Sequence, residues 1–158
     1  MTIVDRRDLL TGLAAASAVM LSAQALAGPD PKKGAKDAAA APAVSPQLKA
    51  IQDSTAECLA TGRLCLARCT EHLAHGMTNM ADCQRAVMNM LAVTEAMAEV
   101  AGFRNADPKS MKALAQVCAT FCRTCEKACA AHAAMHEECK VCGEACARCA
   151  QACDQLPG

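Results

Sequence analysis

The sequence has no Trp, no Tyr and only two Phe. Stacking platforms for bases need aromatic rings, so single-stranded nucleic-acid binding by stacking is excluded. Charge of one sign is lacking as well: 16 Lys plus Arg balance 16 Asp plus Glu, for a net charge of zero. A protein that grips phosphates needs a basic face, so no nucleic-acid partner is expected. There are no runs of Val, Ile, Thr and aromatics of the kind that form strands. Without strands there is no βαβ unit to carry a thioredoxin-like redox C-x-x-C. No C-x-x-C is followed by His, which excludes c-type haem attachment. No Ser or carboxylate stands in a clear nucleophile–base–orienter pattern with the histidines. The chain is therefore not expected to be an enzyme.

What is present is sulfur. The 158 residues include 13 Cys, 9 Met and 4 His. Cys is about 8% of the chain, the level at which composition signals a disulfide scaffold or a metal-thiolate protein. The length suits one domain and a core of its own, so staples are not needed merely to hold the fold.

Three regions follow from composition. In residues 1–27, Arg6-Arg7 precede a weakly apolar run from Leu9 to Ala27. Asp5 and Asp8 flank the arginines, and the run ends in Ala25-Leu26-Ala27, a small-residue cleavage pattern. This reads as a cleavable export signal of the twin-arginine type, implying a periplasmic mature chain with no membrane span. Residues 28–45 carry Gly28, Pro29, Pro31, Gly34 and Pro42 among Ala, Lys and Asp, a flexible leader. Residues 46–158 form the folded domain, rich in helix formers.

Breakers divide that domain into helices predicted at 46–75, 78–102, 108–133 and 135–155. Ser45-Pro46 and Asp107-Pro108 read as N-caps with Pro at the first helical position, and Gly102 as a C-cap. Short connections make neighbours antiparallel. The expected fold is all-α, an up-down-up-down four-helix bundle with a Cys-lined core.

The cysteines sit at helical intervals. Cys58, Cys65 and Cys69 lie on the first helix and Cys83 on the second. Cys118, Cys122, Cys125 and Cys129 lie on the third, and Cys139, Cys142, Cys146, Cys149 and Cys153 on the fourth. Spacings of three, four and seven keep each set on one narrow face. The Cys83 face continues through Val87, Met90, Thr94 and Met97. Such positions ordinarily hold Leu, Ile and Val. Cys as a small hydrophobe accounts for one or two of them, not for three seams. Disulfide stapling suits an exported protein, but neighbours three or four apart on one helix fit disulfide geometry poorly, and 13 is odd.

Thiolates for a soft metal remain. Pairs four apart offer two sulfurs from one helix, which suits Cu(I). Structural zinc wants four ligands in a tetrahedron, so a zinc or mixed-metal thiolate buffer is the alternative, with a disulfide-stapled bundle behind it. If every thiolate bridges two ions, the core takes on the order of one Cu(I) per Cys, and the charges cancel.

All four histidines fall at one end of the expected bundle. His72, His75, Met77, Met80, His132, Met135 and His136 would gather there as a mouth for metal entry, with Met80, His72 and His132 favoured. Ile51, Met97, Phe103, Met111 and Leu156 would plug the other end.

These residues resemble the bacterial copper storage proteins, over roughly 46–155. The likeness rests on C-x6-C-x3-C at Cys58, Cys65 and Cys69, with Cys83 fourteen residues later. It continues with C-x2-C-x3-C at Cys122, Cys125 and Cys129, then C-x2-C-G-x2-C-x2-C-x3-C from Cys139 to Cys153. The resemblance implies Cu(I) stored along the core for supply to copper enzymes and protection from free copper, without redox catalysis. It looks most like the exported branch, which implies a homotetramer. That branch carries several Met at the mouth; here His72 and His75 stand in for some.

Overall fold

The computed structural model describes residues 44–103 and 105–157. The export signal expected at 1–27 and most of the leader expected at 28–45 lie outside the described residues. The described chain is α1 (Pro46–Ala74), a 3-10 turn (Thr78–Met80), α2 (Ala81–Phe103), α3 (Pro108–Ala130) and α4 (Glu137–Asp154). The all-α four-helix bundle is as expected.

The helix starts follow from local chemistry. Ser45 Oγ accepts from the Leu48 amide at 3.1 Å, and the Asp107 carboxylate accepts from the Ser110 amide at 2.9 Å. Each cap satisfies an amide that has no partner in the first turn, and Pro46 and Pro108 follow at N1. Helix α1 stops at Gly76, whose φ of +80° is left-handed backbone. The Met77 amide bonds back to the His72 carbonyl at 3.0 Å and the Gly76 amide to Leu73 at 3.0 Å. This double bond pattern closes the helix and turns the chain, and it requires the glycine.

Each helix packs on two neighbours, α1 on α2 and α4, α3 on α2 and α4. Cross-helix pairs fix the directions. Along α1 and α2, Gln52 meets Ala101, Cys58 meets Met90 and Cys65 meets Cys83. Along α1 and α4, Glu57 meets Arg148 and Arg68 meets Glu138. In both cases one number rises as the other falls, so these neighbours are antiparallel. Half-exposed Arg148–Glu57 (2.6 Å) and Arg68–Glu138 (2.8 Å) pairs mark the register. Exposed pairs of this kind contribute only about 0–1 kcal/mol each.

Three expectations need correction. The predicted helices overran the third connection: α3 ends at Ala130 and α4 begins at Glu137. Reversing the chain between two inward-facing seams needs a loop, so residues 131–135 turn and His136 is extended at φ −132°. Gly102 does not end α2, which runs on to Phe103. Phe103 is no part of a plug, because it is 68% exposed. The inward seam of α2 passes through Met97 and Ala101, and two residues further on the helix faces away. Ile51, Met97, Met111 and Leu156 are buried at that end as expected. Helix α2 with its preceding turn is also long and apolar enough to cross a membrane by length and composition. Here it buries Cys83, Val87, Met90, Thr94 and Met97 against the other helices, as a core helix does.

Candidate metal centre

All 13 cysteines are buried and none is disulfide-bonded. The helical spacing turns every thiol inward, and the antiparallel register decides which of them meet. Five groups of sulfurs lie within 4.8 Å of one another. Cys65, Cys69, Cys83 and Cys139 form a quartet. The triads are Cys65/Cys129/Cys142, Cys125/Cys142/Cys146, Cys58/Cys122/Cys146 and Cys118/Cys122/Cys149. Consecutive groups share a corner at Cys65, Cys142, Cys146 or Cys122, so the five make one continuous chain along the bundle. Cys153 falls outside these groups; interaction with the Cys118 and Cys149 thiols at the far end, and burial, raise its pKa.

The sulfurs touch across helices. Cys58 and Cys146 are 3.6 Å apart, Cys65 is 3.8 Å from both Cys129 and Cys139, and Cys125 is 4.0 Å from Cys142. Helix α3 and α4 approach closely at Gly143, where an added Cβ would stand 3.4 Å from the Cys129 Cβ. Thr94, on the cysteine-poor α2, places Oγ1 3.8 Å from Cys118 and 3.9 Å from Cys122.

Burial sets the protonation of this core. Desolvation, followed by the charge of Cys83, pushes the Cys69 thiol up to about 12. Cys65 and Cys146 are also raised, first by hydrogen bonds to Cys129 and Cys122 respectively. Cys83 moves the other way, because Cys129, Cys139 and Cys65 hydrogen-bond to it. Within the quartet, thiol-to-sulfur hydrogen bonding thus favours the ionised form more at Cys83 than at Cys69 or Cys65. A soft cation entering the core must displace protons from these thiols.

The His/Met end is drawn together only in part. His72 Nδ1 lies 3.3 Å from Met77 Sδ, and its ring meets the His136 ring edge-on at 4.5 Å between centroids. Met80 is fully buried. His132 is buried, and its Nδ1 has no hydrogen-bond partner among the described residues. It lines a cavity of about 400 Å³ with Cys83 and Asp82. His75 is exposed beside His72 and Met77 around a smaller cavity, and Met135 is 68% exposed. The seven residues expected at this end do not form one group. The structure forms one cluster of His72, Met77 and His136, a separate position for His132 next to Cys83, and leaves Met135 in solvent.

A four-helix bundle whose seams are free thiols in shared-corner groups belongs to the metal-thiolate class. Residues 44–158 match the copper storage protein family, and the chain belongs to that family. It is similar to the copper storage protein Ccsp from Streptomyces lividans in a structure loaded with 10 copper equivalents. The two are 32% identical with a TM-score of 0.63, over 70% of this chain and 83% of that one. It is equally similar to a structure of a cytosolic copper storage protein from Streptomyces lividans with five coppers: 32% identity, TM-score 0.63, over 70% of this chain and 91% of that one. Comparison with curated proteins gives no match. The cytosolic relative overturns the exported, periplasmic location expected from residues 1–27. Arg6-Arg7 and the Ala25-Leu26-Ala27 pattern are short and low in information, whereas the likeness to the cytosolic protein runs across the bundle.

Proposed function

We propose that the chain stores Cu(I) reversibly and at high capacity, with the 13 core cysteines as thiolate ligands. The observation that carries this reading is the unbroken chain of corner-sharing sulfur groups. A shared thiolate bridges two ions, and a thiolate paired with a monovalent soft cation leaves no net charge in the core. The role is binding and release rather than catalysis. His72, His75, Met77, Met80, His132, Met135 and His136 act as entry and auxiliary ligands. The contact of His72 with Met77 and the unpartnered Nδ1 of His132 support that assignment. The bundle of residues 46–158 is the storage domain, assembles as a homotetramer and supplies a copper enzyme. Exposed Leu64 and Met88 are apolar surface that assembly would cover.

Reduced protein titrated with Cu(I) and with Zn(II) against a competing chelator tests the reading. The expected result is on the order of one tightly held Cu(I) per Cys and far fewer Zn(II), following the preference of thiolates for the softer ion. Saturation by one or two Cu(I) ions would overturn storage. The quartet Cys65/Cys69/Cys83/Cys139 has the ligand number zinc prefers, so tight uptake of Zn(II) confined to it would favour a mixed-metal buffer.

A further inference from the structure

Helix α2 carries one cysteine, Cys83, while the other three helices carry three to five each. Below Cys83 its inward face offers Val87, Met90, Thr94 and Met97. Met90 is fully buried, and its Sδ accepts a hydrogen bond from the Cys58 thiol at 3.3 Å. Cys58 in turn belongs to the Cys58/Cys122/Cys146 triad in the middle of the sulfur chain.

The opposing helix is cut away to admit this methionine. At Gly62 an added Cβ would stand 2.7 Å from Met90 Cε and 2.9 Å from Leu91 Cδ2. Gly62 is in the interior of α1, where glycine costs about 1 kcal/mol relative to alanine. The missing side chain is the space that the Met90 methyl occupies, with the thioether beside Cys58.

We infer that Met90 is a Cu(I) ligand of the inner core, a neutral thioether that completes a site with the Cys58 thiolate. The inference rests on the Cu(I) storage reading. In the protein without metal, the thiol proton lies between the two sulfurs. On loading, the Cys58 S–H bond breaks and its proton leaves to solvent. The S–Cu bond forms with the electron pair left behind, and nothing is oxidised or reduced. Without that proton, two lone-pair-bearing sulfurs face each other at contact distance. A soft cation bound to both replaces the proton, and thioether is a donor that selects Cu(I). One thiolate and one thioether around a monovalent ion also leave no charge to bury. The site supplies α2 with a donor at a level where it has no cysteine.

Selenium K-edge X-ray absorption of selenomethionine-labelled, reduced, Cu(I)-loaded protein tests this. The background is the Met77→Leu/Met80→Leu/Met135→Leu variant, which removes the selenium at the His/Met end. A copper neighbour at bonding distance from selenium is expected in that background. It should be lost when Met90→Leu is added, a swap that conserves volume and keeps the core packed. Full Cu(I) capacity with no selenium–copper signal, or a signal that survives Met90→Leu, would overturn the Met90 site and leave storage intact. Failure to take up Cu(I) at all would overturn both. Should Met90→Leu not fold, absence of the signal in the background protein overturns the site, and its survival when Met88→Leu, Met97→Leu and Met111→Leu are added to that background supports it.

Discussion

The two ends of the bundle differ in what they bury. One end gathers Ile51, Met97, Met111 and Leu156, buried apolar side chains with no titratable group among them. The other holds His72, in the last turn of α1, in contact with Met77 and His136, and His132 beside Cys83, the last three in the connections between helices. Between them runs the chain of sulfur groups, whose quartet lies toward the His/Met end. The contrast gives the molecule a direction: neutral soft donors at the end a metal ion can approach, thiols within, and a closed base. It also separates two jobs that ordinary cores combine. Apolar residues at the closed end hold the helices together, while the middle is given over to ligands that pack less well than leucine.

Breaking the middle should have the largest effect. Cys65, Cys122, Cys142 and Cys146 are the shared corners, so Cys→Ser at all four removes a member from every group. More than roughly half of the Cu(I) capacity should disappear in chelator competition, because bridging thiolates serve two ions each. A loss matching only four independent sites would argue against a continuous chain. At the closed end, Ile51→Ala should lower the stability of the metal-free protein by about 2–5 kcal/mol in denaturant unfolding. Cu(I) capacity should be unchanged.

Alkaline conditions should divide the metal-free and loaded forms. Cys69 is neutral when protonated, and burial raises it from 9.0 to about 12. Its contribution to stability is complete below pH 9 and is lost as pH climbs through about 12. Unfolding of the metal-free protein followed by circular dichroism should therefore begin in that window. Copper-loaded protein, whose thiols are already deprotonated, should resist. The smallest effect belongs to the His/Met end. Replacing His72, His75 and Met80 together should slow loading by about tenfold, some 1.4 kcal/mol of barrier, with capacity nearly intact. A large drop in capacity would make these residues principal ligands instead.

Much of this was legible in the residues, because cysteine at intervals of three and four is a helix face written in one letter. Ser45-Pro46 and Asp107-Pro108 announced their helices through the same cap chemistry that the structure shows. The partners across helices were not legible. That Cys65 meets Cys129 and Cys139 depends on register, a property of residues far apart in sequence such as the cross-helix partners Arg148–Glu57 and Arg68–Glu138. Phe103 was misplaced because one residue of helix turns a side chain by about 100°. The seven His and Met residues share an end in sequence, but a loop rather than helix at 131–136 scatters them. The closeness of Met90 to Cys58 depends on a glycine 28 positions earlier, a signal visible only once α1 and α2 are packed.

The most direct test counts ions and protons together. Reduced protein loaded stepwise with Cu(I) and weighed by native mass spectrometry gives the number of ions bound. It also gives the protons displaced, since each bound ion that replaces a thiol proton adds its own mass less one hydrogen. Storage in the thiol core requires loading to on the order of one Cu(I) per Cys, with one proton lost for nearly every ion. Uptake that stops at a few ions, or that displaces no protons, would contradict it.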